Sequence, residues 1–155
     1  MKKNKCDVIA TIDLAEACIQ YNGQNYKAAG VCYNNIGNLQ YKNEKYKLAA
    51  ENFSKAVHMS LVCLHQMKPR EFYKMFPGDS PKDGNIQPYK YTLTAQQIRH
   101  FNVVKAHRFY SYTMCHYKMW RYNRGEQISK GHREKELLTR MGTQHVDQGL
   151  LNAHP

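Results

Sequence analysis

The stretch Gly30–Ser60, GVCYNNIGNLQYKNEKYKLAAENFSKAVHMS, constrains the fold of this chain more than any other. Tyr33, Ile36, Gly37 and Gln40 recur at the three- and four-residue spacing of one helix face. After a turn-prone Asn43-Glu44-Lys45, a second helix carries Tyr46, Ala49, Ala50, Phe53, Ala56 and Val57 on one face. Small residues at Gly37, Ala49 and Ala56 let two helix backbones approach closely. Tyr33, Ile36, Tyr46 and Phe53 fill the space between them. The prediction is an antiparallel helix pair whose apolar faces need neighbours.

The flanking segments follow the same logic. From Asp7 to Tyr21, Val8, Ile9, Ile12, Ala15, Cys18 and Ile19 mark an amphipathic helix, with Asp7 as N-cap and Asn22-Gly23 at its end. The second helix is predicted from about Asn25 through Tyr41, and the third from about Tyr46 to Gln66. Pro69, Pro77, Pro81 and Pro88, with Gly78 and Gly84, predict an extended or loop-like segment over 67–93. Phe72, Tyr73, Met75, Phe76, Tyr89 and Tyr91 are too hydrophobic for a solvated linker, so that segment should lie against its own helices or a partner. Thr94, three residues before Gln97, has capping-box spacing and opens the longest helix, through about Asn123. Gly125 is expected to break it, ahead of a short charged helix over 128–141. The organisation predicted is all-α: a helical unit over 7–66, a Pro/Tyr-rich connector over 67–93, two helices over 94–142 and a tail over 143–155.

Charge is unevenly spread. The net charge is +11, and no acidic residue occurs from Gly84 to Gly125, whereas Lys90, Arg99, Lys105, Arg108, Lys118, Arg121 and Arg124 are all positive. Such a field favours an acidic partner. The five cysteines are odd in number and form no CxxC pair, which fits reduced thiols in an intracellular, cytoplasmic protein better than a disulfide framework. No apolar run reaches the roughly 18–20 residues that span a bilayer, so no membrane contact is expected. Met1-Lys-Lys-Asn-Lys has no hydrophobic stretch behind it and does not read as a secretory signal.

Catalytic chemistry finds little support. Cys63-x-His65 and Cys115-His116 lack the ligand spacing of a zinc site. No nucleophile motif, carboxylate pair or phosphate-cradling glycine loop is present, so no enzyme activity, cofactor or metal is expected.

The alternation in Gly30–Ser60 resembles a tetratricopeptide (TPR) repeat. Tyr33 holds the usual Trp place, Ile36-Gly37 the Leu-Gly pair, and Tyr46, Ala49, Phe53 and Ala56 follow at the expected spacing. Gln40 stands where an aromatic is usual, and no Pro closes the repeat after Ser60. Helix 7–21 then reads as the second helix of a preceding half repeat, giving about one and a half units. The resemblance implies a non-catalytic protein-interaction or structural subunit. Carried over by register, Asn34, Asn35, Asn38, Tyr41 and Lys42 would face a peptide-receiving groove; packing of the Asn side chains is an equal reading.

The basic helix offers a second contact surface, through Arg99, Lys105, Arg108, Lys118, Arg121 and Arg124. Three readings fit it. The basic residues are simply the solvated side of a packed helix, or the face lies on an acidic protein surface such as tubulin in a ciliary or microtubule-associated assembly, or the interleaved aromatics stack on RNA bases. The first two are favoured, because no RRM, KH or zinc-knuckle signature accompanies the charge. The expected partners are thus other proteins of a larger assembly, with an RNA- or ribonucleoprotein-associated role as the alternative.

Overall fold

The computed structural model describes residues 5–22 and 25–145. Among these the fold is all-α: α1 (Lys5–Asn22), α2 (Tyr26–Lys42), α3 (Tyr46–Cys63), α4 (Pro69–Met75) with a 3-10 turn at Pro77–Asp79, and α5 (Ala95–His145). No helix among the described residues is long and apolar enough to cross a membrane. The chain divides into two compact units, residues 1–117 and 118–155.

In the first unit, α1, α2 and α3 pack in chain order. Ala17, Tyr26, Ala29, Tyr33, Ile36, Ala56, Met59, Val62 and Cys63 form its core together with Phe72, Tyr73 and Phe101. The α2–α3 approach depends on Gly37. A Cβ at that position would lie 2.8 Å from the buried Phe53 ring. Gln40, the departure from the repeat pattern, accepts a hydrogen bond from Nδ2 of buried Asn52 (2.8 Å), so a polar pair takes the place of an aromatic contact between the two helices.

The helix ends show why the chain turns where it does. Asn25 caps α2, its Oδ1 accepting from the Ala28 amide at 3.1 Å. At the other end of α2, the Lys45 amide donates to Gln40 O (2.9 Å) and the Glu44 amide to Tyr41 O (3.0 Å), with Glu44 at φ 60°. This is a Schellman motif without its usual glycine. The same arrangement closes α3: Gln66 N donates to Leu61 O and His65 N to Val62 O, with His65 at φ 59°. It stops α3 at Cys63, short of the Gln66 expected. Glu44 is exposed, so Glu44→Gly removes left-handed strain without losing a packed contact. It should raise unfolding stability by about 0.5–1 kcal/mol in a denaturant titration.

Three expectations are corrected. Asp7 lies in the first turn of α1 rather than before it, since the helix begins at Lys5. The 67–93 segment is not wholly extended. Pro69 sits at the first helical position, where its missing amide would have no intrahelical partner anyway, and so it opens α4 instead of preventing it. The Glu71 carboxylate accepts from the Lys68 amide at 3.4 Å. Finally, α5 runs through Gly125 to His145. An interior glycine costs a helix only about 1 kcal/mol and does not end it unless the backbone leaves helical geometry to form a cap. Residues 146–155 of the expected tail lie outside the described residues.

The connector lies on its own unit. Phe72 and Tyr73 are buried, and Phe76, Ile86, Tyr89 and Leu93 pack against the same core. Polar contacts fix it further. Lys55 Nζ pairs with Asp79 Oδ2 at 2.8 Å and lies over the Tyr33 and Phe76 rings. Tyr26 OH donates to Gln87 O at 2.6 Å, and the His65 ring nitrogen Nε2 meets Tyr91 O at 2.9 Å. Thr94 and Gln97 form the expected capping box, with bonds of 2.9 and 3.2 Å.

Candidate functional site: groove and basic helix

The groove residues start from α2. Asn34 and Tyr41 are half-buried, whereas Asn35, Asn38 and Lys42 are exposed. Asn38 and Tyr41, with Phe53 of α3, meet Tyr110, Ser111 and Met114 of α5 around a half-open cavity of about 230 Å³. Asn34, Asn35 and Lys42 do not line it. The first part of α5 therefore occupies one side of the surface that the repeat register assigns to a peptide. Tyr41 also packs edge-on against Tyr46, with ring centroids 5.2 Å apart.

The inward stripe of α5 in this unit is Phe101, Arg108 and Cys115, all buried and seven residues apart. Arg108, expected on the basic contact face, is only 7 % exposed. Its Nη1 donates to Ala56 O at 3.0 Å and to Ser60 Oγ at 2.7 Å, and the Ser60 hydroxyl donates to Ala56 O at 3.2 Å. Gly30 leaves the room for it: a Cβ there would come within 2.8 Å of Nη1 and 3.1 Å of Met59 Cβ. Both acceptors of the guanidinium are neutral, and burial pulls its pKa below the usual arginine value. Arg108 is thus a buried strut that pins α5 to α3 and to the Gly30 backbone of α2. It is not part of a solvated face.

Of the other basic residues in the first unit, Arg99 is exposed, and Lys105 is half-buried with its Nζ donating to Gln66 Oε1 at 3.3 Å. In the second unit Lys118 is half-buried, whereas Arg121 and Arg124 are exposed. The Arg124 guanidinium lies over the Trp120 ring, 5.6 Å from its centroid, and Trp120 and Tyr122 are 56 % and 70 % exposed. This stacking pre-orders a flat cationic surface. Further along the same unit, Ile128, Leu137, Leu138 and Met141 are also exposed.

The nucleophile inventory is quiet. Burial pushes the Cys63 thiol up to about 11, with Arg108 and Lys27 opposing it, and the Cys115 thiol likewise up to about 11. Cys32 is raised by burial and then by Glu16 and Asp13. These three remain thiols at neutral pH, which is the opposite of nucleophile activation. Among the described residues no three His, Cys, Asp or Glu side chains converge in a way that could hold a metal ion.

Ser60 and Gly30, which seat the buried Arg108, are structural positions that the sequence expectations lacked. The signal was available in the spacing, because Arg108 lies seven residues from both Phe101 and Cys115 and so shares their helix face. No protein-family model, curated protein or solved structure matches this chain.

Proposed function

We propose that this chain is a non-catalytic, TPR-like subunit of a larger protein assembly, and that it binds an acidic protein surface through the exposed basic part of α5. The observation that carries the reading is the acid-free run from Gly84 to Gly125 together with the exposure of Arg121, Arg124, Trp120 and Tyr122. With Arg108 buried and Lys105 engaged by Gln66, the cationic contact rests on Lys118, Arg121 and Arg124 of the second unit. The α2 residues Asn34, Asn35, Asn38, Tyr41 and Lys42 form a secondary contact, because Tyr110, Ser111 and Met114 of α5 already share the cavity beside Asn38 and Tyr41. An acidic polymer of the microtubule kind fits, and a ciliary or cytoskeletal assembly in the cytoplasm is the corresponding setting. Exposed Ile128, Leu137, Leu138 and Met141 favour protein over nucleic acid, since phosphate does not cover aliphatic side chains.

The Arg124–Trp120 stack supports a second reading, in which the same surface takes single-stranded RNA between rings and guanidinium groups. Co-sedimentation with assembled microtubules and titration with poly-U separate the two. The double variant Arg121→Glu/Arg124→Glu should weaken microtubule binding about tenfold or more, through like-charge repulsion at the interface. If microtubule binding is absent or unmoved while poly-U binding falls steeply with salt and with these reversals, the RNA reading replaces the protein one.

A further inference from the structure

We infer that a second copy of this chain is one of the proteins α5 contacts, through a helix seam between α1 of one copy and residues 128–138 of the next. The inference rests on the reading that 118–145 is a protein-contact segment, and it names one acidic surface that segment takes.

Two faces carry it. On α1, Ile9, Ile12, Glu16 and Ile19 are exposed although Ala17 of the same helix is buried in the core. Ile12 and Ile19 are 59 % and 67 % exposed. On α5, Ile128 and Leu138 are 62 % and 66 % exposed, Lys135 is exposed, and Gly131 is half-buried. Both sets follow the same spacing of i, i+3, i+7 and i+10, which places four residues on one narrow stripe about 15 Å long.

Laid parallel, the stripes are complementary residue by residue. Ile9 meets Ile128, and Ile19 meets Leu138. Ile12 meets Gly131, where a Cβ would touch nothing within 4 Å and the backbone leaves room for the isoleucine. Glu16 meets Lys135, the one charged residue of each stripe and of opposite sign. The surroundings agree in charge. Lys5–Asn22 holds one Lys against two Asp and one Glu, while 118–145 holds seven Lys and Arg against three Glu. A parallel pairing of α1 with α1, or of 128–138 with itself, would instead set Glu16 against Glu16 or Lys135 against Lys135. The contact joins two different stripes and is heterologous, so a pair of copies keeps one free stripe of each kind, as head-to-tail subunits do.

Sedimentation velocity of the full chain over a broad concentration range tests this, with the single variants Glu16→Lys and Lys135→Glu. Both positions are exposed, and circular dichroism verifies that the variants fold. Wild type should associate with rising concentration, and each single variant alone should associate about tenfold more weakly or worse. An equimolar mixture of the two variants should associate again. One contact then carries both substitutions, with the two charges exchanged across the seam, and the reciprocal contact is the native Glu16–Lys135 pair. A wild type that stays monomeric, singles that associate like wild type, or a mixture that fails to recover would each overturn the proposal. Arg121 and Arg124 precede the four paired residues on α5, so their reversal removes no seam pair and should leave self-association in place. Loss of microtubule binding and loss of the seam are thereby distinguishable.

Discussion

Arg108→Ala should destabilise the first unit by roughly 2–5 kcal/mol, whereas Arg108→Met should leave its stability nearly unchanged or raise it. The guanidinium is buried, yet its acceptors are only the Ala56 carbonyl and the Ser60 hydroxyl. Two hydrogen bonds to neutral groups offset little more than the cost of taking the charge out of water. The stem is another matter, because it fills the space above Gly30 and beside Met59. Alanine empties that space, and methionine refills most of it with no charge to desolvate. Ser60 keeps its own bond to Ala56 O in either variant. Urea titrations of the two variants give the answer, and equal loss in both would mean that the charge, not the stem, holds α5 in place.

Gly37→Val carries the second large effect, a loss of about 3 kcal/mol despite the better helix propensity of valine. The Cβ alone would lie 2.8 Å from two atoms of the Phe53 ring, and a branched side chain at that point cannot turn away from it. Phe53 is buried, and its one open side is the cavity it lines with Asn38 and Tyr41. Phe53→Ala should itself cost about 3–5 kcal/mol by leaving a cavity. The double variant should cost less than the sum by roughly 1–3 kcal/mol, since the valine then occupies the space the ring vacated. Strict additivity in the unfolding midpoints would show that the two positions do not share a contact.

The helix pair was legible because its small and large residues alternate at helical spacing, and Gly37 and Phe53 meet as that spacing implies. The capping box at Thr94 was legible for a similar reason: both partners are three residues apart and need no tertiary context. What failed were inferences from residue type without position. Proline at 69 was read as a breaker, but at the first turn of a helix it is compatible with α4. Glycine at 125 was read as a stop, but α5 continues because no cap forms there. Arg108 was read as surface because it is charged, although its heptad neighbours Phe101 and Cys115 already placed it on the buried face. Asn38 and Tyr41, three residues apart on α2, line one cavity as helical spacing implies, but its lining residues Tyr110, Ser111 and Met114 come from a helix far along the sequence.

The contact surface should lie on the exposed part of α5 rather than on the α2 groove. Hydrogen exchange of the full chain, alone and with assembled microtubules, tests this most directly. Added protection is expected in peptides covering 118–124, with little change in those covering 34–42. Protection gained at 34–42, with 118–124 exchanging as fast as in the free chain, would contradict it.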